Sequence, residues 1–304
     1  MNPSRGILLM VTAISLFSIM GALVKAADRI PAGEIVFFRA FCALPVLVVW
    51  LALRGGLREG LRVQSWRGHA VRAIAGSCAM GLGFYGIKLI PLPEATAIRF
   101  VTPILVVVFA ALILGEVIRR FRVTAVLVGL VGVMIIIWPR LDLELGDAAF
   151  LGASATLVSA GLAAFAQVIL KGMAGKESTT AIVFYFLGTA STLSLLSLPF
   201  GWVWPVGVEW VWLVGAGLFG GLGQLFVTAS YKHADAGTLA PFTYVGMIWA
   251  LGLGYVFFGE VPTLAMLGGA ALVIASGIAI VLRERALGHQ RTAEQKVRSL
   301  LKNG

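Results

Sequence analysis

The feature that most constrains this chain is a series of apolar stretches, each about as long as a membrane-spanning helix and separated from the next by a few polar residues. A helix must contain about 20 mainly apolar residues to cross the hydrocarbon core of a bilayer. Only 12% of the residues are charged, whereas soluble domains usually carry about 25%. The sequence therefore excludes a water-soluble globule and predicts an all-α polytopic membrane protein. Ten transmembrane helices are predicted, near residues 6–26, 34–53, 69–89, 94–114, 123–138, 149–170, 181–200, 210–231, 236–257 and 262–282.

The distribution of Lys and Arg predicts how these helices are oriented. The segments on one side of the predicted membrane carry 17 of the 24 Lys and Arg residues, and the connections on the other side carry four. Since the cytoplasmic side of a membrane protein carries the excess of these residues, both termini are predicted to be cytoplasmic, in the cell or inner membrane. This topology also explains the net charge of +10, so we expect the lipid bilayer and no nucleic acid as a partner. The basic tail, residues 284–304, is expected to face solvent or lipid headgroups.

The chain contains a weak internal repeat. A shift of 144 residues superposes Gly115-Glu116-Val117 on Gly259-Glu260-Val261, Lys88 on Lys232, Val101 on Val245 and Phe100 on Tyr244. Slightly different shifts superpose Lys25 on Lys171, and Phe37-Phe38 on Phe184-Tyr185. Each half, residues 1–140 and 141–283, then holds five predicted helices, and because five is odd the second half is inverted. Two inverted five-helix repeats are a recurring design of secondary transporters. The repeat is imperfect, since Phe186 stands where a partner of Arg39 is expected and Met247 where one of Pro103 is expected.

The five-plus-five layout, the spacing from Pro103 to Gly115-Glu116 and the glycines Gly129 and Gly132 in the fifth span resemble the EamA-type drug/metabolite transporter superfamily. The resemblance covers nearly the whole chain and implies alternating-access transport of a small molecule, with no enzymatic activity. Residues 34–39 and 91–103 most resemble the branch that takes up S-adenosylmethionine or riboflavin, while the architecture equally fits amino-acid exporters. Amino-acid export or exchange is the favoured expectation, and uptake of S-adenosylmethionine or riboflavin is the alternative. A monomer is compatible with this reading.

Arginines inside predicted spans are the first candidates for substrate binding, because charge is costly in a bilayer. Arg39 and Arg99 each lie about a turn and a half into a predicted span, and a guanidinium can hold a carboxylate or phosphate through two parallel hydrogen bonds. Arg72, closer to the cytoplasmic end, is a weaker candidate. The alternative for these arginines is a structural pair with Glu34 or Glu94.

Polar and aromatic residues provide the second set of candidates. The resemblance implies a central cavity between the third, fourth, eighth and ninth spans, and it thereby adds Tyr85, Thr102, Gln224, Tyr244 and Trp249 to the predicted substrate-binding residues. An aromatic plane with an amide and an arginine would accept a zwitterion or a flat heterocycle. Pro103 and Pro241 are predicted to kink the fourth and ninth spans, since proline removes a helical hydrogen bond.

Other chemistries find little support in the sequence. No Asp or Glu falls in the middle of a predicted span, which disfavours a proton-coupled exporter of lipophilic cations. A membrane-embedded enzyme remains an alternative, but we find no catalytic residues, because no histidine lies beside an acid within a span. Two matches to a dinucleotide-binding glycine pattern, at 81–86 and 215–220, lie in apolar helices without a preceding strand. No cofactor and no metal are therefore expected.

Overall fold

The computed structural model describes residues 3–53, 60–114, 120–138, 147–173, 177–230, 233–234, 239–279 and 282–283. These residues form helices joined by short connections. The α-helices are α1 (Pro3–Ala26), α2 (Ala32–Leu53), α3 (Trp66–Leu89), α4 (Leu92–Arg99), α5 (Thr102–Leu114), α6 (Arg120–Ile137), α7 (Asp147–Met173), α8 (Thr179–Ser194), α9 (Glu209–Ser230), α10 (Val245–Phe258) and α11 (Leu264–Ala279). Two 3₁₀ helices, Leu195–Phe200 and Ala240–Tyr244, follow α8 and precede α10.

The helices agree with a multi-pass membrane protein. Among the described residues, six helices are long and apolar enough to cross a bilayer: Ser4–Ala26, Ala32–Leu53, Trp66–Leu89, Ala148–Leu170, Thr180–Phe200 and Glu209–Val227. Shorter apolar helices cover Leu127–Ile136, Phe242–Phe258 and Leu264–Ala279. The structure thus confirms a polytopic helical chain, and the count of ten spans stays a prediction.

Two predicted spans are not continuous helices, and each break lies close to a proline that was predicted to kink the span. In span 94–114, α4 ends at Arg99, and the N–H of Val101 donates to the carbonyl of Ile98 at 3.1 Å in a tighter turn. Pro103 then has no N–H to donate to the carbonyl of Arg99 four residues earlier, so a regular helix cannot continue unbroken. In span 236–257, a 3₁₀ helix containing Pro241 precedes α10. Residues 236–238 lie outside the described residues.

These two breaks meet inside the molecule. The rings of Phe100 and Tyr244, which the internal repeat superposes, lie edge to face with their centroids 5.0 Å apart. The packing around them is reciprocal: α1 lies against α9 and α10, and α7, its counterpart in the second half, lies against α3, α4 and α5. Likewise α2 packs on α9 while α8 packs on α3.

Close approach of α6 to α11 requires glycine in both helices. A Cβ on Gly132 would stand 2.7 Å from the carbonyl oxygen of Gly269, and a Cβ on Gly269 would stand 2.5 Å from the carbonyl oxygen of Gly132. Such contacts let two backbones pack directly, as small residues do in membrane helices. The glycine-rich fifth span is therefore a packing surface.

The bundle has two ends, each of which we name by a polar residue that lies there. At the lysine end, Lys25 and Lys88 reach the ends of α3 and α10 and the α1–α2 turn. At the histidine end, His69 in the first turn of α3 contacts Glu177 before α8. Since α3 rises about 1.5 Å per residue, the two ends lie on opposite faces of the molecule.

Candidate functional site

Three arginine side chains enter the bundle from three different helices. Arg39 comes from the second turn of α2, Arg72 from the second turn of α3 and Arg99 from the last residue of α4. The side chains of Arg39 and Arg72 are buried, with 5% and 9% of their surface exposed. Arg99, at the end of α4, is exposed.

Arg39 has poor hydrogen-bond acceptors around it. Its Nη1 atom lies 3.0 Å from the sulfur of Met80 on α3, and a thioether is only a weak acceptor. Its Nε atom is buried and has no partner. Gly220 on α9 leaves room for this arginine, because a Cβ there would lie 3.0 Å from Nε.

Arg72 lies over an aromatic ring. The centre of its guanidinium is 4.2 Å from the ring centroid of Phe186 on α8, a cation–π distance. Its Nε and Nη1 atoms are buried without a hydrogen-bond partner. Phe186, which interrupts the internal repeat, therefore supports Arg72 with the face of its ring. It accepts no hydrogen bond from the guanidinium.

Arg39 lies near the other two guanidinium groups, because the charges of Arg72 and Arg99 both act on it. Along α3, a Cβ on Gly76 would lie 3.4 Å from Nη1 of Arg72, and Nη1 of Arg39 contacts Met80 one turn further on. We call these three side chains, in the order Arg72, Arg39, Arg99, the arginine row.

The arginine row has no acidic counterpart in the part of the chain that the structure describes. The ion pairs found there join Lys25 to Glu260, Arg29 to Glu209 and His69 to Glu177. Glu34, a possible partner of Arg39 by sequence, instead accepts the N–H of Val203 at 3.0 Å. Since uncompensated charge is costly inside a membrane, the row favours binding of an anionic group, whose oxygens could take the free N–H donors.

An ion pair lies at the lysine end. Nζ of Lys25, at the end of α1, lies 2.6 Å from Oε1 of Glu260, and the two side chains keep 14% and 13% of their surface exposed. The other oxygen of Glu260 accepts the N–H of Leu92 at 2.8 Å, while Nζ of Lys25 also donates to the carbonyl of Ile90 at 2.8 Å. This Lys25–Glu260 pair joins the second half of the chain to the ends of α1, α3 and α4. Sequence reasoning placed both residues at helix ends and missed that they meet.

The sequence pattern of the EamA-like transporter family matches residues 4–138 and 150–283. This chain belongs to the EamA-like transporter family. The pseudopaline exporter of Pseudomonas aeruginosa is 35% identical, over 90% of this chain and 95% of its own. The riboflavin transporter of Vibrio cholerae is 26% identical over 90% of this chain and 92% of its own, and the S-adenosylmethionine uptake transporter of Rickettsia prowazekii is 25% identical over 84% and 85%. A crystal structure covering 92% of this chain and 98% of its own, with a TM-score of 0.68 at 22% identity, has the same fold.

Because this chain belongs to the EamA-like family, it is a membrane transporter of small molecules. A transporter binds its substrate within the bundle, where the row lies.

The other predicted substrate-binding residues of this EamA-family chain have varied surroundings. Tyr244 is 9% exposed and lies against α11, where a Cβ on Gly277 would overlap its hydroxyl group. Thr102 donates to the carbonyl of Ala160 at 3.5 Å. Tyr85 and Trp249 keep 41% and 40% exposure, and Gln224 is half-buried. Among the described residues, these last three side chains make no hydrogen bond to the row.

At the histidine end, Glu177 connects α3 to α8. Its Oε1 accepts the N–H of Ser65 at 2.6 Å and that of Gln64 at 2.9 Å, and its Oε2 lies 3.2 Å from Nε2 of His69. Burial on its own would raise the pKa of Glu177, but the contact with His69 and the two N–H bonds outweigh it and lower the pKa. These contacts hold the start of α3 against the segment that precedes α8. Within the described ranges, no three His, Cys, Asp or Glu side chains come together to hold a metal ion.

Proposed function

We propose that this EamA-family protein exports a small organic metabolite that carries a carboxylate, amino acids being the favoured class, and that Arg99 and Arg39 bind the carboxylate. The observation that carries the proposal is the arginine row, in which Arg39 and Arg72 have buried nitrogen atoms without a hydrogen-bond partner; the ion pairs found among the described residues do not include the row. A carboxylate would supply both the missing charge and the missing acceptors. The direction of transport is supported by the 35% identity to the pseudopaline exporter.

We further propose ten spans in two inverted halves that alternate access to the row. The reciprocal packing of the halves and the contact of repeat-related Phe100 and Tyr244 support this arrangement. In the described conformation, the Lys25–Glu260 pair holds the lysine end closed. The repeat assigns Lys171 and Glu116 as the equivalent pair at the other end; Glu116 lies outside the described residues.

The proposal places the protein in the inner membrane with both termini in the cytoplasm. The lysine end then faces outward and the histidine end faces the cytoplasm. The closed lysine end would leave the row open to substrate from the cytoplasm, as an exporter requires. Pro103 and Pro241, at the two helix breaks, are proposed hinges of the exchange.

Flux through purified protein in liposomes tests the proposal. We expect wild-type protein to exchange radiolabelled amino acids, and Arg99→Ala to reduce the flux more than about 30-fold, because losing one partner of a buried charge pair costs about 2–5 kcal/mol. Arg99→Lys keeps the charge but loses the two-pronged geometry, so its flux should be intermediate. Arg67→Ala, an exposed arginine at the start of α3, is the matched control.

Two results would contradict the proposal. The first is an Arg99→Ala protein, folded and inserted, with the flux of the wild type. The second is a wild-type protein that moves no carboxylate. Riboflavin and S-adenosylmethionine belong in the same panel, because relatives at 26% and 25% identity carry these substrates in their names; saturable uptake of either would favour that second function.

A further inference from the structure

The arginine row contains more positive charge than one carboxylate can neutralise. A carboxylate bound between Arg99 and Arg39 would compensate for one of the three charges. Arg72 is held beside Phe186, and two of its nitrogen atoms are buried without a hydrogen-bond partner. Its requirement for an anion therefore remains after the first carboxylate is bound.

The neighbours of Arg72 do not meet that requirement. The Phe186 ring covers one face of the guanidinium at 4.2 Å but cannot accept the N–H bonds that lie in the guanidinium plane. The nearest acid along this end, Glu177, directs its oxygens to His69, Ser65 and Gln64. Arg72 is nevertheless nine-tenths buried and has two unpartnered nitrogen atoms. A structural arginine in such a position normally has its donors satisfied.

Resting on the proposed function, we propose that the transported substrate carries two separate anionic groups, and that Arg72 binds the second. The first group lies between Arg39 and Arg99, and the second lies at the Phe186-supported end of the row. A substrate of this class spans the row, so the distance between its two anionic groups becomes a determinant of specificity. Arg72 is thereby a specificity-determining residue that sequence reasoning ranked below Arg39 and Arg99.

Matched probes can test this with the full-length protein in detergent. We would use the straight-chain dicarboxylates from succinate to suberate, each beside its own half-amide, which has the same shape and one charge fewer. Binding is measured as the shift in melting temperature over a range of ligand concentrations. At the best chain length, we expect the dicarboxylate to bind at least about tenfold more tightly than its half-amide, a factor equal to about 1.4 kcal/mol.

The arginine variants assign the second group to its residue. In Arg72→Gln, the ratio of the two affinities should fall to about one while the affinity for the half-amide stays within about twofold. Arg67→Gln, an exposed arginine one turn earlier on α3, should keep the wild-type ratio. Arg72→Lys retains the positive charge, so its ratio of dicarboxylate to half-amide affinity should lie between one and the wild-type value.

Each outcome decides between the two proposals. Equal affinities of wild-type protein for dicarboxylate and half-amide at every length would overturn the second anionic group and leave the proposed function standing. An unchanged ratio in Arg72→Gln would also overturn the inference, because the second group would then bind elsewhere. If wild-type protein binds neither class of probe nor any amino acid, the carboxylate site of the proposed function fails and this inference fails with it. The wild-type ratio is informative even if a variant does not fold.

Discussion

Arg72 and Glu177 show how neighbours set the chemistry of single residues. The guanidinium of Arg72 lies over the ring of Phe186, and Gly76 makes room for this ring because a Cβ there would lie 2.9 Å from it. Glu177, at the same end of α3, is in the opposite condition, since backbone N–H groups and His69 surround its carboxylate. Arg72 therefore keeps unpartnered nitrogen atoms, whereas Glu177 connects the start of α3 to the segment before α8.

Acid should weaken the fold through Glu177. Its pKa lies below the ordinary value of 4.5, so the ionised carboxylate contributes stability that is fully present above that value. This stability is lost as the pH falls through the lowered pKa. Glu177→Gln removes the titrating group, so the loss of melting temperature between about pH 6 and about pH 3 should be smaller in this variant than in wild type.

The control for that prediction is Arg67→Gln, which changes an exposed side chain at the start of α3. Its melting temperature should follow the wild-type pH dependence. If the Glu177→Gln and wild-type curves run parallel across this range, the carboxylate does not stabilise the join between α3 and α8.

The helices of the two halves make reciprocal contacts, and an ion pair joins the halves at the lysine end. The Lys25–Glu260 pair gathers the ends of α1 and α10 and the start of α4. Gly259, with φ of 65°, ends α10 in a left-handed conformation that suits glycine. It thereby directs Glu260 back toward Leu92. Opening of this end must break the ion pair and the Leu92 bond together.

Loss of the Lys25–Glu260 pair should open the lysine end. The reporter is Ile90→Cys in a protein from which Cys42 and Cys78 have been removed. Ile90 is 2% exposed, and its carbonyl accepts a hydrogen bond from Lys25. Glu260→Gln should raise its labelling rate by a charged maleimide about fivefold, as expected for a partly exposed pair that contributes about 1 kcal/mol.

A double-mutant cycle is the control for that measurement. Lys25→Met should raise the rate similarly, and the double variant should react no faster than either single one, because both changes remove the same contact. Additive effects would mean that the two side chains act independently and that the pair does not hold the end closed.

At the scale of the whole molecule, the proposed topology can be tested with two exposed tryptophans at opposite ends. Trp204 and Trp66 are 77% and 64% exposed, and they lie in the α8–α9 connection and at the start of α3. With both native cysteines replaced, a membrane-impermeant maleimide should label Trp204→Cys in spheroplasts and should label Trp66→Cys only after the membrane is permeabilised. The reverse pattern would invert the orientation and would turn the closed lysine end toward the cytoplasm.

Much of the fold was predictable because it depends on local composition. Helices α1, α2, α3, α7 and α9 begin and end within a few residues of the predicted spans, since a bilayer requires long apolar runs with internally bonded backbone. The prolines marked the two breaks, but continuous spans were still predicted there. Whether a proline bends a helix or divides it depends on the contacts around it, such as that between Phe100 and Tyr244.

Hydropathy and charge are properties of each segment alone, so the amino-acid sequence was enough to predict a helical membrane protein with arginines in its spans. Which arginines form the row depends on tertiary packing. Arg39, Arg72 and Arg99 come from α2, α3 and α4, and their order depends on how those helices pack against α8 and α9, where Phe186 and Gly220 lie. The same packing buried Tyr244 against Gly277. A contact between distant segments is set by the shapes of both surfaces, which the periodicity of either segment does not encode.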